Sequence, residues 1–178
     1  MKKTFRFVGL ILISVLSYGL TSCGSDGDDD GGSGGGVDYT SDEIVEMLTG
    51  KWEVYGHAKA TSNIENPSDF DSDYTGSIEF GANQSVKAKS TVFKEVKEEG
   101  GYTYNITLGS ILDSSYKYKI TRKNGATYIS FGSDNYPKDF KIVSLTKKSF
   151  KLVMNQDFEG WDMKQSYTTH AEITIISQ

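Results

Sequence analysis

The chain has 178 residues, enough for one domain, and its 24% charged and 37% hydrophobic side chains fit a folded globular body rather than a membrane bundle. A net charge of −5 argues against a nucleic-acid partner, which needs a basic footprint. A single Cys excludes an internal disulfide and a Cys-based zinc centre, while eleven Tyr and only two Pro favour strands.

Lys2, Lys3 and Arg6 precede an apolar run from Val8 to Leu20 that Gly9, Ser14, Ser17 and Gly19 interrupt. A helix crossing a bilayer needs about 20 apolar residues, so residues 1–22 read as a secretory signal peptide. Leu20-Thr21-Ser22-Cys23 resembles the bacterial lipobox. That resemblance implies cleavage before Cys23 and acylation of Cys23 with palmitate-type chains, each buried CH₂ adding about 0.8 kcal/mol to membrane anchoring. Loss of Lys2, Lys3 and Arg6 with the leader leaves 16 basic against 24 acidic side chains, a net charge of −8. Residues 23–36 then form the lipidated Cys and a tether. From Gly24 to Gly36 the chain is only Gly, Ser and Asp, a composition that buries nothing and reads as a flexible, solvated linker. Its acidic run, Ser25 to Asp30 with Gly27 interrupting, resembles the surface-export signal of Bacteroidota lipoproteins. It implies lipid anchoring in the outer membrane with display at the cell surface.

Residues 37–178 form the domain. Thr40 and Glu43 make a capping box, Ile44, Val45 and Leu48 share a face, and Gly50 is a stop signal, so a short helix is predicted over Ser41 to Leu48. Beyond Gly50 the period becomes two. The first strand is expected over Lys51 to Lys59 and the last over Tyr167 to Ile176. Asn124-Gly125 centres a hairpin that pairs Ile120 with Ile129, Tyr118 with Phe131 and Lys119 with Ser130. A turn at Gly81 to Ser85 pairs Phe80 with Val86 and Ile78 with Ala88. A turn at Lys97 to Gly101 pairs Val96 with Tyr102, Lys94 with Tyr104 and Val92 with Ile106. A turn at Lys147-Lys148 pairs Leu145 with Phe150 and Val143 with Leu152. Phe140 and Ile142 then fall on the opposite parity, which calls for a bulge. Two Ser-, Asn- and Asp-rich or polar breaks, Ala60 to Tyr74 and Gln156 to Ser166, are expected as long loops. The expected fold is all-β: an up-and-down antiparallel barrel of about eight to nine strands after one short N-terminal helix.

The order of short helix, Gly50-Lys51-Trp52 at the first strand, and meander resembles the lipocalins and, more closely, the lipocalin-like domains of Bacteroidota lipoproteins. The resemblance covers Thr40 to Gln178 and implies that Trp52 packs across the closed end of a barrel. The chain departs from the ligand-carrying lipocalins in two places. Its last strand, Glu172 to Ile176, has no basic residue to pack on that Trp, and no Thr-Asp-Tyr signature occurs.

By alternation Ile78, Phe80, Leu152 and Met154 project inward with Val92, Ile106 and Ile129. In a barrel with a cavity, Tyr102, Tyr104, Tyr116, Tyr118 and Phe131 would line a pocket for a small hydrophobic or amphipathic ligand, with Lys94 facing a ligand carboxylate. In a narrower barrel the same residues fill the core. The alternative is a surface module that binds glycan or protein through loops carrying Phe70, Tyr74, Tyr136 and Trp161. His57 and His170 are the only histidines, on the first and last strands, and no carboxylate spacing marks a metal site. Asp69 to Asp73 alternates acids like a calcium loop, but Tyr74 and Phe80 stand where that loop needs Gly and Glu. No nucleophile elbow, phosphate loop or dinucleotide fingerprint is present, so neither an enzyme nor a cofactor is expected.

Overall fold

The computed structural model describes residues 37–98, 101–161 and 165–177, with Trp161 described by its backbone only. The signal peptide, Cys23 and the tether lie outside the described residues. Helix α1 (Ser41–Leu48) begins at the expected capping box: Glu43 N donates to Thr40 Oγ1 at 3.3 Å and Thr40 N donates to Glu43 Oε2 at 2.7 Å. Ile44 and Leu48 are buried. At 8 residues the helix is too short to persist alone, and Trp52 fixes its far end. The Trp52 Nε1 donates to the Leu48 carbonyl at 2.7 Å, and its ring meets Phe150 edge-on at 5.1 Å. Gly50, at φ +133°, makes the sharp passage from helix to strand that lets Trp52 fold back.

Among the described residues ten strands follow: β1 (Gly50–Ser62), β2 (Phe70–Phe80), β3 (Val86–Ser90), β4 (Lys94–Lys97), β5 (Thr103–Ile106), β6 (Lys119–Lys123), β7 (Ala126–Phe131), β8 (Lys138–Leu145), β9 (Phe150–Trp161) and β10 (Ser166–Ser177). A second helix, α2 (Leu108–Leu112), lies between β5 and β6. Eight strands form one antiparallel sheet in the order β3-β2-β1-β10-β9-β8-β7-β6, and β4 and β5 pair separately. The first strand therefore pairs with the last, with Gly56 opposite Ile175.

The sheet is not closed into a barrel, which corrects the expectation of a closed one. Strands β3 and β6 would have to pair, but the intervening chain goes into the β4–β5 hairpin and α2 instead. Helix α2 leans on β3: Leu108 N donates to Ser90 Oγ at 2.9 Å, and a Cβ on Gly109 would stand 2.7 Å from the Ala88 carbonyl. At one end of the gap Tyr118 N donates to the Gln84 carbonyl at 2.9 Å.

Three hairpin registers agree with the alternation: Ile120 faces Ile129, Phe80 faces Val86, and Leu145 faces Phe150. The bulge lies at Val143, so Leu152 pairs with Ile142 rather than with Val143. The β4–β5 register is displaced by two: Val96 faces Tyr104 and Lys94 faces Ile106. The two expected loops are mostly strand. β1 and β2 run as far as Ser62 and back from Phe70, and β9 and β10 as far as Trp161 and back from Ser166. Polar composition concealed an alternation in which Phe70 and Phe158 pack on the core.

Aromatic rings pack together in the core on the inner face. Phe80 stands at its centre, 5.5 Å from Tyr118, 6.4 Å from Phe131 and 5.9 Å from Phe150 between ring centroids. Phe140, Ile142, Leu152 and Ile175 are fully buried around them. Each such side chain contributes about 1.5–3 kcal/mol by leaving water.

Candidate functional site

The residues expected to line one interior pocket are divided between core and surface. Tyr118 and Phe131 are buried, 6.2 Å apart between ring centroids, and packed among other aromatics. Tyr102, Tyr104 and Tyr116 are 76%, 43% and 48% exposed, and Lys94 and Val92 are exposed as well. These five do not face the interior, because the β4–β5 hairpin lies outside the eight-stranded sheet and Tyr116 follows α2 on the surface. Tyr104 instead places its hydroxyl 3.2 Å from Ser68 Oγ, against the β1–β2 connection. The Tyr118 hydroxyl has no hydrogen-bond partner among the described residues, and burial pushes its pKa up to about 12. Of the aromatics considered for a surface module, Tyr136 is 71% exposed, Tyr74 is buried, Phe70 is half-buried, and the Trp161 side chain lies outside the described residues.

Strands β2, β1, β10 and β9 continue together into a four-stranded ribbon. Cross-strand pairing puts His57 beside Asp73 and Thr174, and His170 beside Thr61 and Asp157, all on the outer face. His57 Nδ1 lies 2.9 Å from Asp73 Oδ1 and its Nε2 lies 3.2 Å from Asp71 Oδ1. His170 Nδ1 lies 2.7 Å from Asp157 Oδ1 and its Nε2 lies 3.3 Å from Glu172 Oε1. Hydrogen bonds to Asp157 and then Glu172 hold the His170 imidazolium above its ordinary pKa. The partners were hidden from spacing because three of the four come from a neighbouring strand. Each histidine has its two carboxylates on opposite ring nitrogens, an arrangement that does not gather ligands round one point. Among the described residues no group of three or more His, Cys, Asp or Glu side chains is set to hold a metal ion. The alternating acids of the calcium-like segment lie on or beside β2, where Asp69 is taken up by Ser62: its carboxylate accepts from Ser62 N at 3.0 Å and Ser62 Oγ at 2.8 Å.

A surface hollow of about 570 Å³ opens at the ribbon's far end. Its floor depends on Gly160. A Cβ there would come within 2.4 Å of the Tyr167 ring, so the ring of Tyr167, directly opposite on β10, lies down over the glycine backbone. Asn63 pins the rim. Its N donates to the Thr168 carbonyl at 3.1 Å and its Oδ1 accepts from Thr168 N at 3.0 Å. Tyr136 reaches the hollow from the β7–β8 connection. Gln156 of β9 clamps that connection, donating through Nε2 to the Pro137 carbonyl at 2.9 Å and accepting from Asp139 N at 3.1 Å. Glu159 supplies the one charged side chain among the described lining residues. Sequence reasoning selected Tyr136 but passed over Tyr167, Gly160 and Asn63. The signal was a glycine followed seven residues later by a tyrosine across a tight strand return, legible only once both breaks are read as strand. Compared with family models, with curated proteins and with solved structures, this chain finds no match.

Proposed function

We propose that this protein is a lipid-anchored, non-enzymatic binding module of the outer membrane, displayed at the cell surface, that takes a glycan or protein partner on its exterior. The observation that carries this reading is the division of the interior ligand set. Phe80, Tyr118, Phe131 and Phe150 occupy the space a small apolar ligand would need, while Tyr102, Tyr104, Tyr116 and Lys94 stand outside it. The anchor rests on Cys23 within its lipobox and on the Gly/Ser/Asp tether that follows. A lipocalin-like origin is supported by the helix, Gly50-Lys51-Trp52 and the pairing of first and last strands.

Native mass spectrometry of the purified protein after incubation with a lipid extract tests the exterior reading. The expected result is an unchanged protein mass. A retained apolar molecule, lost on substituting Tyr118 or Phe131, would return the function to the interior. Metabolic labelling with palmitate tests the anchor, with label on the parent chain and none on Cys23→Ala.

A further inference from the structure

We infer that the outer face of β6 to β9 is a binding surface for an anionic polysaccharide, one that carries carboxylate or sulfate groups along its length. The inference rests on the exterior-binding reading and gives it a face and a ligand chemistry.

Charge is the first ground. From Lys119 to Val153 the chain has eight basic and two acidic side chains, whereas the remainder from Cys23 on has eight against twenty-two. All of residues 119–153 are described, so the surplus sits on strands of known register. Lys141 of β8 lies between Tyr128 of β7 and Val153 of β9. Lys151, two residues before Val153, lies between Ser144 of β8 and Ile176 of β10. The alternate residues Ile129, Ile142, Leu152 and Ile175 are buried, so Tyr128, Lys141 and Lys151 share the outer face. Lys119 and Lys123 of β6 join them there, because Thr121 between them faces Tyr128. Both β6 charges are answered. Lys123 Nζ donates to Asp139 Oδ2 at 2.6 Å, and Lys119 pairs with Asp134. The two acids of the segment are thereby taken up. Among the described residues the ammoniums of Lys141 and Lys151 have no ionic or hydrogen-bond partner.

Spacing and surroundings select the ligand. Each unpaired ammonium offers three donors and a full positive charge. Neighbouring strands are about 4.8 Å apart, so Lys123, Lys141 and Lys151 span about 14 Å across β6 to β9. Cations set out across a face in this way suit a linear polymer with an anion on successive repeats better than one compact anion. Tyr128, half-buried beside Lys141, adds an aromatic side chain on the same side. Aromatic ring faces carry partial negative charge and favour the weakly positive C–H groups of a pyranose, which turns the choice from an acidic peptide to a sugar chain. The rest of the molecule limits the ligand's width. Glu43 and Glu46 of α1 line a hollow together with Lys147, which leaves that lysine beside carboxylates. On the ribbon stand Asp71, Asp73, Asp157 and Glu172. A broad anionic surface such as a bilayer would meet these acids, whereas a single polysaccharide chain can cross the basic strands between them.

Isothermal titration of the full chain with octagalacturonate and a chondroitin sulfate octasaccharide, beside maltooctaose as the neutral control, tests the inference. At about 50 mM salt at least one anionic octasaccharide is expected to bind saturably and to lose affinity as salt is raised to about 200 mM. Maltooctaose is expected to bind at least tenfold more weakly. Lys141→Gln combined with Lys151→Gln weakens anionic binding about tenfold, while Lys141→Arg with Lys151→Arg retains it. Lys94→Gln, on the β4–β5 hairpin, leaves it unchanged. Polyglutamate and phosphatidylglycerol vesicles are titrated in parallel. Absence of binding by both anionic octasaccharides overturns the inference, as does equal affinity for maltooctaose or indifference to the double Gln variant. Tighter binding of polyglutamate or vesicles, lost in the same double variant, also overturns it. Those failures leave the exterior-binding reading standing, whereas a lipid retained in the core by mass spectrometry overturns that reading on its own terms.

Discussion

Gly56 is the position where one added methyl group does the most damage. A Cβ there would lie 1.8 Å from the Thr174 carbonyl oxygen and 2.9 Å from its carbon, against an ordinary contact that begins at 3.4 Å. The obstacle is backbone and cannot rotate aside, so β1 and β10 must separate locally by about 1.6 Å. The same close approach lets Tyr74 reach across β1 and donate its hydroxyl to the Thr174 carbonyl at 2.9 Å. Overpacking costs about 1–3 kcal/mol where neighbours can adjust, and a buried hydrogen bond adds about 1 kcal/mol. Gly56→Ala should therefore destabilise by about 4 kcal/mol, a large part of the roughly 5–15 kcal/mol typical of a domain. Tyr74→Phe alone should cost about 1 kcal/mol. In the double variant the two costs should not add, because Gly56→Ala has already broken the Tyr74 bond. Urea unfolding of the four proteins measures all three quantities. A Gly56→Ala loss below about 1 kcal/mol, or full additivity with Tyr74→Phe, would refute this account of the strand crossing.

Tyr118→Phe removes a buried hydroxyl without a described partner and should leave stability unchanged or raise it by about 1 kcal/mol in the same urea assay. Burial raises the pKa of Tyr118 from 10.0 to about 12, so stability is full below pH 10 and declines as pH climbs through 12; Tyr118→Phe should lessen that decline in alkaline unfolding curves. For His170, NMR titration of the ring protons should give a midpoint above 6.5, lowered in Asp157→Asn; its contribution to stability is present below pH 6.5 and fades as pH rises through the folded value. Trp52→Phe loses the bond to the Leu48 carbonyl and should cost about 1–2 kcal/mol, with a matching loss of amide protection in α1 by hydrogen exchange.

What could be read from sequence is what is local. The Thr40–Glu43 box, the Asn124-Gly125 turn and the parity conflict at Phe140 and Ile142 each concern residues within one turn or one hairpin. The barrel expectation failed because closure depends on whether β3 meets β6, and no local pattern encodes that meeting. The β4–β5 register failed for a different reason. A displacement by two leaves every side chain on its original face, so alternation fits Val96 against Tyr102 as well as against Tyr104. Alternation also says nothing about which face is covered along the whole of a strand. Val96 is 1% exposed, yet Lys94, two residues away on the same side, lies in solvent. The ribbon hollow was missed because Ser, Asn and Asp read as loop, although Phe70, Phe158 and Tyr167 keep strand period through those stretches.

The seam between first and last strands has a kinetic consequence. Strand β10 lies between β1 and β9, so the middle of the sheet joins residues more than a hundred positions apart. Until residues 166–177 dock, β1–β3 and β6–β9 are two half-sheets, each with a long bare edge. Loop closure over that span makes docking the slow step and leaves those edges open to other chains meanwhile. A polypeptide held extended before its last strand emerges avoids that hazard, and one allowed to collapse early meets it at both edges.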